Sequence, residues 1–477
     1  MKEARRLSPG RSLLFTVIIT GITLWSLNSA IQWAEQAGLV DTHAQDDGVA
    51  LVEAPLFELE GDRVRTTDYA ENSLGSSSFR AEKGDALRIF VLGGSFAMGS
   101  PYIQLPSLDS MPVASASLET GIPGWLQARL GEQQPERTIE VINAAAGGQN
   151  SSRVKDIANQ VLGYQPDALI VCTGNNEGSL DPSRIREQLH RLGGYRLLNK
   201  ILAGKPSPQR PWFTPQDPDT AAVRDQFRAN LEDIAEASTA AGVPLLLCTL
   251  PINLSYIGLE PGHVLTGRQW PHLSGSCYRG IEFFDRGSYE QALPLLQECA
   301  QQAESSQPPP LPALLAMVEL ELNQANEDTF LTLEGIRGPC VTNGIRSYYA
   351  QDYRDAINNL EACDEVDEAL LWLGLSHLKL GEPQRARTLL RQHVELVPRN
   401  RIRPSFNQII RQVAADHDLV HLVDLEQAAQ RRSPAGVPGR NLFLDYCHMH
   451  WKGYAAMAEE VLKVLTNKGL SKAQTAP

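Results

Sequence analysis

The strongest constraint in this chain is an alternation. Between Ala86 and Asn176, the apolar runs "ALRIFVLGGS", "TIEVINAAA" and "DALIVCTGNN" alternate with amphipathic or polar stretches, among them "GWLQARLGEQ" and "SSRVKDIANQVLGY". The runs are rich in β-branched and aliphatic residues and end in Gly- or Asn-rich turns, as strands buried on both faces do. Two more follow, "VPLLLCTLPIN" and, after residue 415, "HDLVHLVDL". Strands separated by helices pair in parallel through right-handed crossovers, and such sheets place their chemistry at the carboxyl ends of the strands. The expectation is an α/β fold whose functional residues lie on the turns that leave those strands.

Between the fourth and fifth runs the character changes. From about Cys277 to Asn400 no strand-like run occurs, and small residues recur at a fixed offset in "GIEFFDRGSYEQALPLL", "SYYAQDYRDAINNLEA" and "LWLGLSHLKLGEPQRARTLLRQHVELVP". Leu373, Gly374, Gly381, Ala386, Leu390 and Pro398 fall where a tetratricopeptide repeat has its defining positions, small residues there letting two helices touch. Gly280, Gly287, Ala292 and Leu296 repeat the spacing, and Ala356 and Leu360 supply a weaker middle copy. The alternative is a set of unrelated amphipathic helices, interrupted by "SSQPPPLPA". Either way the segment is a helical insertion, expected to meet a protein partner or the rim of the active site and to supply no catalytic group.

The N-terminus, "MKEARRLSPGRSLLFTVIITGITLWSLNSAIQWAEQAGLVD", holds an uncharged, mostly apolar run from Leu13 to Leu27 that extends to about Trp33, enough to cross a bilayer. Lys2, Arg5, Arg6 and Arg11 precede it, while Glu35, Asp41, Asp46 and Asp47 follow, so the positive-inside rule exports everything after it. A cleaved signal peptide fits less well, because Asn28 in "LNSA" occupies the first small position of a cleavage site. A helix buried in a soluble domain leaves the charge asymmetry unexplained. The expected layout is a cytoplasmic tail and transmembrane anchor over 1–34, a linker or lead-in arm over 35–84, an α/β domain over 85–270 and 401–466, the helical insertion over 271–400 and a tail over 467–477. The expected location is a bacterial inner membrane, single-pass, with the catalytic domain in the periplasm.

Composition narrows the partners. A net charge of -13 lacks the clustered Lys and Arg that displace counterions from phosphates, so nucleic acid is not an expected partner. The seven cysteines form no CxxC pair, which removes a zinc ribbon or thioredoxin-type motif. Cys277, Cys299, Cys340 and Cys363 lie together in the helical insertion, where one or two disulfides form in an oxidising compartment, with the pairing open.

At the strand ends, "VLGGSFAMGSPY" places Ser95 after a buried strand, a position that can expose a hydroxyl and a backbone N–H together. Gly-Gly-Ser is also an ordinary turn, and no Lys-Ser or Lys-Thr follows at phosphate-loop spacing. "VINAAAGGQNSS" continues from Asn143 to Gly147 and Gly148, and "VCTGNNEGS" leaves through Gly174, Asn175, Asn176 and Glu177. Near the C-terminus "LDYCHMHWKGY" puts Asp445, Cys447, His448 and His450 on one short loop, where a serine hydroxyl finds both a base and a carboxylate to orient it. A zinc site is the competing reading; the two histidines lack helical i, i+4 spacing and no second His/Cys cluster stands elsewhere, so no metal or cofactor is expected.

Gly-x-Ser, Asn followed by Gly, Gly-x-Asn and Asp-x-x-His, in that order, resemble the four blocks of the SGNH or GDSL hydrolase superfamily. The resemblance lies in residues 88 to 180 and 440 to 465, and more narrowly in bacterial SGNH proteins that carry tetratricopeptide repeats. It implies a flavodoxin-like three-layer α/β/α domain in which Ser95 is the nucleophile, His448 its base and Asp445 the residue that orients His448. Ser95, Gly148 and Asn176 would form the oxyanion hole. The family's usual Asp before the serine is Gly94 here, and His450 has no family role. The implied activity is ester hydrolysis of an acyl or acetyl group, of a cell-envelope glycan or lipid. An O-acyltransferase using the same acyl-enzyme and an inactive repeat-containing scaffold remain as alternatives.

Overall fold

The lead-in arm differs from the expectation. In the computed structural model, β1 (Phe57–Glu60), β2 (Arg63–Thr66) and β3 (Ser78–Arg80) form an antiparallel three-stranded sheet. These strands are three or four residues long, too short to show a period; Phe57, Val64 and Phe79 are buried, whereas Leu59 is exposed. Phe57 and Phe79 stack edge-on with Phe90 and Tyr164 of the main domain, with ring centroids 5.4 to 6.3 Å apart. Burying each phenylalanine contributes about 2 kcal/mol, which fastens the arm down.

The structure describes residues 56–67, 78–102, 120–178, 220–258, 275–302, 310–364, 366–397 and 401–470, with short stretches within 26–34 and 192–197. Pro55–Ser179 and Trp212–Pro477 form one compact unit, and Met1–Ala54 with Leu180–Pro211 another. The apolar run Leu13–Leu27, Ser26 apart, and Pro398 lie outside the described residues; among the described residues no helix is long and apolar enough to cross a membrane.

The five apolar runs are the strands of one parallel sheet: β4 (Leu87–Gly93), β5 (Ile139–Asn143), β6 (Ala168–Cys172), β7 (Leu245–Thr249) and β8 (Val420–Asp424), in the order β5-β4-β6-β7-β8. That is the flavodoxin-like order. Every residue of β4 to β7 is buried, in keeping with their mostly apolar character. Arg88, paired with Glu140 of β5, is a charged exception. It is fully buried in β4, yet its Nε donates to Glu140 Oε2 (2.7 Å), Nη1 to Tyr164 O (2.9 Å) and Nη2 to Arg80 O (2.6 Å), tying the small sheet to the large one.

Helix α1 (Ser95–Met98) follows β4, α2 (Ile122–Gln133) leads to β5, α3 (Ser151–Val161) to β6, and α4 (Thr220–Ala240) to β7. The insertion then runs through α5 (Gly275–Asp285), α6 (Tyr289–Gln302), α7 (Pro310–Glu321), α8 (Glu327–Arg337), α9 (Pro339–Tyr349), α10 (Tyr353–Glu361), α11 (Val366–Lys379) and α12 (Pro383–Leu396). The chain returns through α13 (Pro404–Asp416), β8, α14 (Leu425–Arg431) and α15 (Trp451–Asn467). Helices α2, α14 and α15 cover one face of the sheet and α3, α4 and α13 the other, which makes three layers.

Within the insertion, successive helices pair as antiparallel hairpins, and the small residues explain how. A Cβ on Gly280 would lie 2.9 Å from Leu296, on Gly344 2.3 Å from Leu360 and on Gly374 2.6 Å from Leu390, so these helices touch at a glycine-leucine contact that recurs at constant spacing. Ala292, Ala356 and Ala386 are fully buried at equivalent places. Helices α5, α9 and α11 end at left-handed residues, Gly287 (φ 74°), Gln351 (φ 63°) and Gly381 (φ 79°). Gln351 where the other copies have glycine is one reason the middle copy is hard to see in the sequence. Cys277–Cys299 joins α5 to α6 and Cys340–Cys363 joins α9 to the end of α10, whereas Cys172, Cys248 and Cys447 are buried free thiols.

Candidate active site

All the strand-end turns singled out in the sequence open at the carboxyl edge of the sheet. Strand β4 closes against β6 at Gly93 (φ 147°), where a Cβ would lie 2.0 Å from Cys172 O. Ser95 then begins α1, partly exposed between buried neighbours. Asn143, at the end of β5, donates from Nδ2 to Met98 O (3.0 Å) and accepts from the Ala145 N–H (3.2 Å), fixing the second turn to the first. Tyr454 of α15 donates to Ser100 O (2.8 Å) and packs its ring 5.6 Å from Phe96, holding α1 from the other side.

The loop after α14 folds back as a tight turn, bridged at Phe443 and Met449 and closed by the Leu444 N–H donating to His448 O (2.8 Å). At its tip Asp445 Oδ1 accepts from the N–H groups of Cys447 (2.9 Å) and His448 (2.7 Å). Its other oxygen, Oδ2, lies 2.6 Å from His448 Nδ1, and His448 Nε2 lies 2.7 Å from Ser95 Oγ. An ionised carboxylate only accepts, so Nδ1 carries the ring proton and Nε2 accepts from the Ser95 hydroxyl. Residues from the two ends of the domain sequence, 353 apart, thus form one hydrogen-bonded chain.

Burial opposes charge on the His448 ring, but the Asp445 carboxylate bonded to Nδ1 favours it, and the imidazolium is held above the usual histidine range. Burial also pushes the Cys447 thiol up, so it stays neutral and the carboxylate supplies the charge that counts. Asp445, Cys447 and His448 have donor atoms within 4.8 Å of one another, a set a metal ion can use. Here both ring nitrogens of His448 are engaged, by Asp445 and Ser95, and the thiol is protonated, so the donors are committed to another arrangement.

Gly148 is exposed at φ 73°, with open space where a Cβ would stand, so a substrate atom can approach its backbone. Asn176 gives one amide hydrogen from Nδ2 to Gln149 O (2.9 Å), and a primary amide has a second. A Cβ on Gly94 would lie 2.6 Å from that Nδ2, so the glycine that departs from the resembling pattern makes room for Asn176 beside Ser95. Glu177 accepts from Ser151 N (2.7 Å) and Oγ (2.9 Å), clamping the start of α3 to the third turn.

His450, without a role in the sequence reading, is the N-cap of α15: its Nδ1 accepts from the Gly453 N–H (3.1 Å) and its Nε2–H donates to Asn441 O (2.6 Å). Sequence reasoning also passed over Asn253, whose Nδ2 donates to Asp445 O (2.7 Å), and Tyr446, whose ring stands 5.5 Å from the His448 ring. The "LPIN" that follows a buried strand was the available signal for Asn253; nothing in the sequence marks Tyr446.

Residues 91–269 match the model of the GDSL-like Lipase/Acylhydrolase family. The α/β domain is therefore that of the SGNH/GDSL hydrolase superfamily, a class of ester hydrolases. The match holds Ser95, Gly148 and Asn176 and ends before Asp445 and His448, which reach the site through the return of the chain after the insertion. Comparisons with curated proteins and with solved structures returned no match.

Proposed function

We propose that the protein is an exported, membrane-anchored serine ester hydrolase that cleaves an acyl or acetyl ester of a cell-envelope glycan or lipid. The observation that carries this is the continuous chain from Ser95 Oγ through His448 to Asp445, at 2.7 and 2.6 Å. In this reading Ser95 Oγ attacks the ester carbonyl carbon while its proton passes to His448 Nε2. Asp445 holds Nδ1–H and stabilises the imidazolium. The carbonyl π electrons move to oxygen, which meets the N–H groups of Ser95 and Gly148 and the amide of Asn176. As the tetrahedral centre collapses, the C–O bond to the alcohol breaks and His448 returns the proton to the alcohol oxygen. Water then repeats the sequence on the acyl-enzyme, releasing the acid and restoring Ser95.

Export is supported by the two disulfides of the insertion, which persist in oxidising compartments, and by the charge asymmetry around Leu13 to Leu27. The recurring glycine-leucine contacts of the hairpins support a tetratricopeptide-type array that meets a protein partner or the rim of the site. The test is covalent labelling by a fluorophosphonate, which needs an activated serine and no knowledge of the substrate. Wild type should label and Ser95→Ala should not; a wild type that stays unlabelled, or a variant that labels equally, sinks the reading. For topology, protease outside spheroplasts should digest the domain.

A further inference from the structure

One titratable group beside the triad comes from the inserted helices. Asp285 is the last residue of α5, which the Cys277–Cys299 disulfide fastens to α6. Its Oδ1 accepts from the hydroxyl of Tyr256 (2.9 Å), a residue only 6% exposed that follows β7. The Tyr256 ring stands edge-on to Tyr446 (6.2 Å), and Tyr446 edge-on to His448 (5.5 Å). Arg401 lies 5.8 Å over Tyr256 and donates to Asn253 O (2.6 Å), and Asn253 in turn holds Asp445 O. On the far side Arg440, from the loop that leads to Asp445, lies over the Tyr289 ring (4.9 Å) and donates to Phe284 O (3.4 Å). A Cβ on Gly287 would lie 2.4 Å from Arg440 Nη1, so the turn between α5 and α6 is seated directly on that loop.

We propose that Asp285 is a positioning residue of the triad. It holds Tyr256 against the Tyr446 ring, which itself stands against His448, and places a second carboxyl group in the electrostatic field shared by Asp445 and His448, so the first inserted hairpin sets the charge state of the histidine. The groups that face Asp285 are Tyr256, Asp445, Arg440 and His448; those that face His448 are Ser95, Asp445, Tyr446, Cys447 and Asp285. Burial, and then the negative charge of Asp445, push the Asp285 carboxyl well above the carboxylate range. Tyr256, Arg440 and a protonated His448 pull the other way. The coupling is reciprocal. When His448 takes the serine proton, its positive charge favours ionised Asp285, and ionised Asp285 favours the imidazolium.

This rests on the hydrolase reading, and one experiment separates the two. The rate of fluorophosphonate labelling of the full chain is measured across pH for wild type, Asp285→Asn and Tyr256→Phe. Asp285→Asn keeps the shape and the acceptor but cannot ionise. Its labelling inflection should move to lower pH by about half a unit or more, the order expected when an oppositely charged neighbour is lost from a partly buried site. Tyr256→Phe removes the hydrogen bond that favours ionised Asp285; it should shift the inflection the same way by less, and it carries the comparison if Asp285→Asn does not fold. Variant profiles that superimpose on the wild type overturn the proposal alone. A wild type that never labels overturns it together with the hydrolase reading.

Discussion

The two histidines of "DYCHMH" give the sharpest single test. In His448→Ala the chain loses the base 2.7 Å from Ser95 Oγ and the partner 2.6 Å from Asp445. It does not lose the loop, because the bonds that shape the turn are to backbone: Cys447 N and His448 N to Asp445, and Leu444 N to His448 O. The damage should therefore be chemical, with hydrolysis of p-nitrophenyl acetate slowed on the order of 10⁴- to 10⁶-fold, or about 5 to 8 kcal/mol in the barrier. His450→Ala instead loses the cap on Gly453 N and the bond to Asn441 O, a stability cost of about 1 to 2 kcal/mol with most turnover intact. Turnover and denaturant midpoint measured on both variants separate the cases. A folded His450→Ala that is inactive, beside an active His448→Ala, would refute the assignment of the base and with it the whole chain of proton transfer.

Asp445→Asn should slow turnover by about 10⁴-fold while leaving the chain folded, because an amide can hold the wrong imidazole tautomer and cannot support the imidazolium; steady-state kinetics on p-nitrophenyl acetate check it. Since His448 must be neutral to accept the serine proton and its pKa is raised, kcat/KM should fall as pH drops through a value above the usual histidine range. A pH profile with its inflection at or below about 6.5 contradicts this. Replacing Cys277 and Cys299 together with alanine opens a loop of sequence separation 22 and should destabilise the chain by about 3 kcal/mol in denaturant melts, whereas Cys447→Ala closes no loop and should show no such effect.

The sheet was legible because each strand of β4 to β7 is buried along its whole length and so is mostly apolar, a signal that survives without any partner being known. The turns that carry Ser95, Gly148 and Asn176 were legible for a related reason: each leaves its strand within a few residues, and its glycines and asparagines announce the backbone they permit. The loop with Asp445 and His448 stood out by composition, but only folding puts it 2.7 Å from a serine 353 residues away. The lead-in strands were not legible, since three or four residues carry no period and Phe57 and Phe79 find their burial on Phe90 and Tyr164, far along the chain. Nor was Asp285: at the end of an amphipathic helix it looks like a solvated charge, and tertiary packing alone gives it Tyr256 as a donor and Asp445 as a neighbour. Local pattern reports which residues must be buried and which turns are permitted. Which buried groups face one another is fixed by contacts between distant segments, and a one-dimensional pattern does not record them.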